Sequence, residues 1–295
     1  MDTLLSKYGH FVKDALTLTK TPKLITEDNV YQVGVDAVLP YLDMMVEELS
    51  LPGSGLDGME NLEELWKKAK SGSSCLLLPE HYSNLDLSII TRFIKKAGGH
   101  GEEMSRAIVA IAGMKLTEDD PAVAAFAAAY SRIVIYPSRS LAHLDAEKDR
   151  AEIVRSNSIN RAAMKALNGL KTQGKLILVF PAGTRYRAWD PATKRGVREI
   201  DSYIRSFDYM CCIALNGQIL HIHQKDMMED EVKSDLVRVT AGPILSCAEF
   251  RKQARAAAGK AGIEDKKQAT VDAIMAELEA MHEAAEPKRM ALLKQ

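Results

Sequence analysis

Short apolar runs separated by longer amphipathic stretches set the pattern of this chain. Cys75-Leu76-Leu77-Leu78 is apolar at every position, which predicts a strand covered on both faces rather than one half in water. Further strand candidates fall near 107–112, 132–136, 175–180, 210–215, 218–223 and 236–240. Between them lie helical patterns over 59–70, 121–130 and 156–171, and one with Leu85, Ile89, Ile90, Phe93 and Ile94 on a single face. Strands and helices in this order predict an α/β fold, a mixed β-sheet flanked by helices with its site at strand ends.

Residues 1–50 read as helical, with Val30, Val33, Ala37, Val38, Tyr41, Leu42, Met45 and Leu49 near a 3.6-residue period. The cluster Leu51-Pro52-Gly53-Ser54-Gly55-Leu56-Asp57-Gly58 breaks that pattern. The expected division is a small N-terminal helical domain over 1–55 and an α/β domain over 56–295. The latter ends in a C-terminal helix around Val271, Ile274, Met275 and Leu278.

A chain of 295 residues, 46% of them hydrophobic, can bury a substantial core. Its net charge of −1 gives no global case for nucleic acid, so any anion binding must be local. The four cysteines, Cys75, Cys211, Cys212 and Cys247, lack metal spacing and read as buried reduced thiols. No segment approaches about 18 uninterrupted apolar residues, and no signal-type apolar core follows Met1. A soluble, cytoplasmic protein is the expectation.

Two segments carry candidate chemistry. In Glu80-His81-Tyr82-Ser83-Asn84-Leu85-Asp86, a histidine stands five residues ahead of an aspartate, between the first strand and the following helix. A histidine held by a carboxylate can take a proton from an alcohol near neutral pH. The plainer alternative is a loop histidine beside a first-turn acid that favours the helix dipole. The second segment, Pro181-Ala182-Gly183-Thr184-Arg185-Tyr186-Arg187, follows the apolar run ending at Phe180. Guanidinium groups bind phosphate oxygens bidentately, and a glycine turn adds backbone N–H donors, unless the arginines simply reach solvent.

Together the two segments resemble the glycerolipid acyltransferase family. Its marks are a histidine and an aspartate separated by four residues and a later block reading Phe-Pro-Glu-Gly-Thr-Arg. Ser131-Arg132-Ile133-Val134-Ile135-Tyr136-Pro137-Ser138-Arg139 is similar to the family's intermediate block, and Leu236 to Ile244 to its late strand ending in Gly-x-Pro-Ile. The likeness is greatest to the soluble, plastid-type glycerol-3-phosphate acyltransferases, which also lack the third-block glutamate where this chain has Ala182. Glu80 stands where many members have asparagine or serine.

The resemblance implies transfer of a fatty acyl group from acyl carrier protein or acyl-CoA to the sn-1 hydroxyl of glycerol 3-phosphate, the first step of phospholipid synthesis. His81 and Asp86 would be catalytic. Arg139, Gly183, Thr184, Arg185 and Arg187 would bind the acceptor phosphate, without metal or cofactor. The compartment would be cytoplasm, or plastid stroma for a plant or algal chain. Lysophosphatidate acylation is the nearest alternative, and a non-catalytic lipid- or acyl-carrier-binding protein the alternative of another class.

Other features compete weakly. His221 and His223 share one side of a strand candidate, but no third ligand accompanies them. The basic residues Arg251, Lys252, Arg255, Lys260, Lys266 and Lys267 could meet an acyl carrier protein or the surface of an anionic membrane, though a solvated helix face explains them as simply.

Overall fold

The computed structural model of the protein describes residues 2–22, 24–118, 121–141, 144–145 and 147–294. The first part of the chain forms α1 (Leu4–Leu18), β1 (Tyr31–Gln32), α2 (Leu39–Leu49), β2 (Gly55–Asp57), α3 (Met59–Lys70) and β3 (Cys75–Pro79). Then come α4 (Asp86–Lys96), α5 (Gly101–Ala107), β4 (Ile108–Gly113), α6 (Lys115–Glu118), α7 (Pro121–Ala127), β5 (Arg132–Ile135) and α8 (Ser138–Leu141). The long α9 (Arg150–Leu170) leads to β6 (Leu176–Leu178), α10 (Ile200–Ser206), β7 (Tyr209–Asn216), β8 (Leu220–His221) and β9 (Glu231–Val232). The chain ends with β10 (Arg238–Ala241), β11 (Leu245–Ser246), α11 (Cys247–Lys260) and α12 (Lys266–Leu292).

Among the described residues these strands build a nine-stranded mixed sheet in the order β1-β5-β4-β6-β3-β7-β10-β2, with β11 also on β7. The five central strands, β5, β4, β6, β3 and β7, run parallel, while β1 pairs antiparallel with β5, β10 and β11 pair antiparallel with β7, and β2 runs parallel to β10. Parallel strands need crossovers, and the crossing helices cover both faces. The α/β fold with a mixed sheet flanked by helices is therefore present as the apolar runs predict.

Alternation along β3 shows why its sequence is apolar throughout. Cys75 and Leu77 enter a core shared with α2, α3 and α4, while Leu76 and Leu78 enter the opposite core, with α9, α10 and α12. Burial of side chains of this size is worth roughly 1.5–3 kcal/mol each, so both faces hold the strand in register. β3 lies between β6 and β7 and carries the His81 turn at its C-terminal end. The other parallel strands deliver α6, α8 and the 179–187 segment to that same end.

Several expectations shift. The helical pattern over residues 1–50 is interrupted: residues 24–30 form no helix, and β1 pairs antiparallel with β5 at the sheet edge. Val30 is buried and Val33 is 70% exposed, so their spacing does not mark one helix face. Backbone pairing with the edge strand has overridden the side-chain period. Leu4, Tyr8, Leu42 and Met45 from this region share the core of α3 and α4. The 218–223 candidate shortens to β8, which among the described residues pairs only with β9, outside the main sheet.

The basic run at 251–267 is partly turned inward. Arg251 Nε donates to Asp201 Oδ1 at 2.9 Å and Arg255 Nη2 to Asp201 Oδ2 at 3.0 Å, with Asp201 1% exposed. All four cysteines are buried and free, and burial pushes the Cys75, Cys211 and Cys247 thiols up to about 12. Among the described residues no helix is long and apolar enough to cross a membrane.

Gly58 fixes where α3 begins against β10. Its φ is +80°, and an added Cβ would lie 2.1 Å from the Ala241 carbonyl oxygen. Gly58→Ala should therefore cost about 1–3 kcal/mol, read as a lower denaturant midpoint. A midpoint equal to wild type would mean that this approach of α3 to β10 is not fixed.

Candidate active site

Asp86 opens α4 and is 2% exposed, and its burial is met by a concentrated set of donors. Its Oδ2 accepts the backbone N–H groups of Tyr82 at 2.6 Å and Ser83 at 2.9 Å, and its Oδ1 accepts Ser83 Oγ–H at 2.8 Å. The remaining bond to Oδ2 comes from His81 Nδ1 at 2.9 Å. A carboxylate only accepts, so this contact puts the imidazole proton on Nδ1 and leaves the Nε2 lone pair free. The helix dipole adds to the stabilisation of negative charge at this position.

The ring has a second support. His81 stacks on Phe180, with centroids 3.9 Å apart and planes 18° apart. The third-block turn is tied to the same residue, because Tyr186 N–H donates to the His81 carbonyl at 2.8 Å. Gly183 bends this turn at φ +64°, and its N–H donates to the Phe180 carbonyl at 2.9 Å. The two segments, about a hundred residues apart in sequence, thus form one unit.

A cavity of about 830 Å³ opens at the strand ends beside His81. All five residues expected to bind phosphate, Arg139, Gly183, Thr184, Arg185 and Arg187, line it. Lys115 and Arg132 add two more cationic side chains, against one lining carboxylate among the described residues, Glu199. The remainder is largely apolar. Such a cavity suits an anionic group joined to a hydrocarbon body.

The arginines are not equivalent. Arg185 Nη1 donates to Asp230 Oδ2 at 2.9 Å, and Asp230 is fully buried. Burial raises the Asp230 pKa, while His223 N–H and Arg185 oppose that shift. Arg185 therefore spends part of its charge on holding the turn to the chain before β9. Arg187 has no carboxylate partner among the described residues; its backbone N–H donates to Thr193 Oγ1 at 2.8 Å. Arg139 is exposed on α8, whose approach is fixed by Asn160: Tyr136 N–H donates to Asn160 Oδ1 at 2.8 Å and Asn160 Nδ2 to the Tyr136 carbonyl at 3.0 Å.

The site also includes groups that the sequence reading did not connect. Glu80 and Tyr82, on either side of His81, turn toward α12 rather than the cavity. Glu80 Oε2 lies 2.9 Å from His282 Nδ1 and accepts Leu215 N–H at 2.8 Å, while Tyr82 Oη–H donates to Glu80 Oε1 at 2.8 Å. Burial is the main cause that raises the Tyr82 pKa. His282 is separated from Glu80 by about two hundred positions, so no local motif could have shown the pair. His221 and His223 gather no metal-binding cluster among the described residues.

No protein-family model matches the sequence, and no curated protein matches it.

The His282 pair makes a pH-dependent contribution to stability. Glu80, through its hydrogen bond and charge, raises the His282 pKa above the ordinary 6.5, with Glu286 and Glu279 adding to it and burial opposing it. The folded value thus lies above the unfolded one, so the stabilisation is complete below about pH 6.5 and fades as pH rises through the folded value. Across that window the melting temperature of wild type should fall more than that of His282→Gln. Parallel curves would remove His282 from the pH dependence.

Proposed function

We propose that the chain is an O-acyltransferase that moves a fatty acyl group from a thioester, acyl carrier protein or acyl-CoA, to a hydroxyl of glycerol 3-phosphate. The observation that carries this reading is the free Nε2 of an Asp86-held His81 on a cavity shared with Arg139, Arg185 and Arg187. The resemblance of the 80–86 and 180–187 segments to the glycerolipid acyltransferases supports it.

In the proposed reaction, Nε2 takes the acceptor hydroxyl proton as the oxygen attacks the thioester carbonyl. Asp86 steadies the imidazolium that forms. Collapse of the tetrahedral intermediate breaks the C–S bond, and the imidazolium returns the proton to the leaving thiolate. The new ester forms with no acyl-enzyme. Arg187, and the donor capacity of Arg185 not taken by Asp230, would hold the acceptor phosphate while Arg139 supplies charge at the rim. Fixing the phosphate converts loose encounter into positioned attack.

The acceptor follows from the same chemistry. Glycerol 3-phosphate offers almost no apolar area, so its affinity must come from concentrated positive charge, which this strand-end cluster provides. The apolar part of the cavity is then left for the acyl chain of the donor. Peripheral contact with a membrane would supply neither group directly.

With glycerol 3-phosphate and an acyl thioester, His81→Ala should lower kcat by roughly 10²–10⁴-fold while circular dichroism stays unchanged. Retention of more than about a tenth of the activity would remove His81 as the base. Arg187→Ala should raise the acceptor KM by about one to two orders of magnitude with little change for the donor. Arg185→Ala should also cost stability, because it leaves Asp230 buried without its cation. A clear preference for lysophosphatidate over glycerol 3-phosphate would overturn the acceptor assignment.

A further inference from the structure

Arg132 lines the same cavity but stands apart from the strand-end arginines. Register places it opposite Ala110 on β4, level with Leu178 on β6 and Leu77 on β3. His81 is four residues beyond Leu77 and three strands away, which puts the two Cα atoms roughly 20 Å apart at ordinary strand spacings. Arg132 is therefore at a different part of the cavity from the proposed base.

Its environment is unusual for an arginine. The residue is 3% exposed, and no carboxylate pairs with it among the described residues. Burial alone lowers its pKa, to about 10. Nη1 donates to the Ala127 carbonyl, at the end of α7, at 2.6 Å. Nε has no partner, and Nη2 makes no hydrogen bond among the described residues. Arg238 and Arg255 also leave Nε unbonded, but they have Asp57 and Asp201 as counter-ions. Among the described residues Arg132 has only a neutral carbonyl.

Nε is buried, which leaves Nη2 as the nitrogen able to meet a carboxylate oxygen in a charge-assisted hydrogen bond. Leu85, Leu87, Val123, Phe126 and Tyr130 give the same cavity an apolar wall. A desolvated cation in an apolar cavity favours a ligand that supplies both a counter-charge and a hydrocarbon body. The volume of about 830 Å³ falls within the range of small-molecule sites.

We propose that Arg132 forms a carboxylate site within this cavity, and that its ligand is a free long-chain aliphatic monocarboxylate held at Nη2 with its chain along the apolar wall. Such a ligand would occupy the space proposed for the donor acyl chain and so compete with the thioester. The inference rests on the cavity and on Arg132, not on the chemistry assigned to His81.

The test compares dodecanoate with dodecan-1-ol, which has the same chain without the charge, by calorimetric titration of the full chain. Wild type should bind dodecanoate at least about tenfold more tightly than the alcohol, and Arg132→Met should lose that preference. Arg132→Lys keeps a charge but lacks the planar guanidinium and its Nη2 donor and should lose most of it, which supplies the answer if Arg132→Met does not fold. Equal binding of acid and alcohol, absence of dodecanoate binding, or a preference that survives in the folded Arg132 variants would overturn the proposal. So would a preference lost in Arg187→Ala but kept in Arg132→Met, which would assign the charge to the strand-end cluster. Binding is read without acyl transfer, so failure here and failure of the acyltransferase reading remain distinguishable.

Discussion

A buried carboxylate must be satisfied or it costs several kilocalories per mole, and Asp86 meets that demand with groups from its own loop. Tyr82 N–H, Ser83 N–H, Ser83 Oγ–H and His81 Nδ1 all converge on it at the first turn of α4. This one constraint fixes the loop after β3, the tautomer of His81 and the direction of its free nitrogen. Phe180 then sets the ring plane, and Tyr186 N–H closes the third-block turn onto the His81 carbonyl. The cationic wall of the cavity is positioned by the same contacts.

Side chains of the 80–86 loop divide their work by direction. His81 and Ser83 turn to Asp86, while Glu80 and Tyr82 turn to His282 on α12. Glu80 also accepts Leu215 N–H from β7, so the loop is anchored to a neighbouring strand and to the C-terminal helix. The inward face of α12 carries Val271, Ile274 and Leu278 into the core before it reaches His282. Apolar packing of that helix thus determines where its polar contact with the site falls.

What the sequence made legible was local or periodic. The strand at Cys75–Pro79 could be read because burial on both faces leaves an uninterrupted apolar run, and the His81–Asp86 contact because five residues span one turn and a helix start. Arg185 and Arg187 could be read at a strand end from their own segment, whereas Arg139 came only with the family resemblance; all three line one cavity. Residues 19–38 misled because valines at helical spacing were read without the sheet edge that captures Tyr31 and Gln32. Glu80 with His282, Arg185 with Asp230, and Asp201 with Arg251 and Arg255 are long-range pairs that no spacing rule contains. Arg132 read only as part of a strand, since nothing in a local pattern tells a paired guanidinium from an unpaired one.

The site depends on Asp86 holding His81 with its proton on Nδ1 and its lone pair facing the cavity. Ring-¹⁵N histidine spectroscopy of the neutral form measures this directly, because the two tautomers give distinct nitrogen shifts and couplings. Wild type should show the Nδ1–H tautomer for His81, lost or mixed in Asp86→Asn. A neutral His81 protonated on Nε2 in wild type, or a tautomer unchanged by Asp86→Asn, would contradict it.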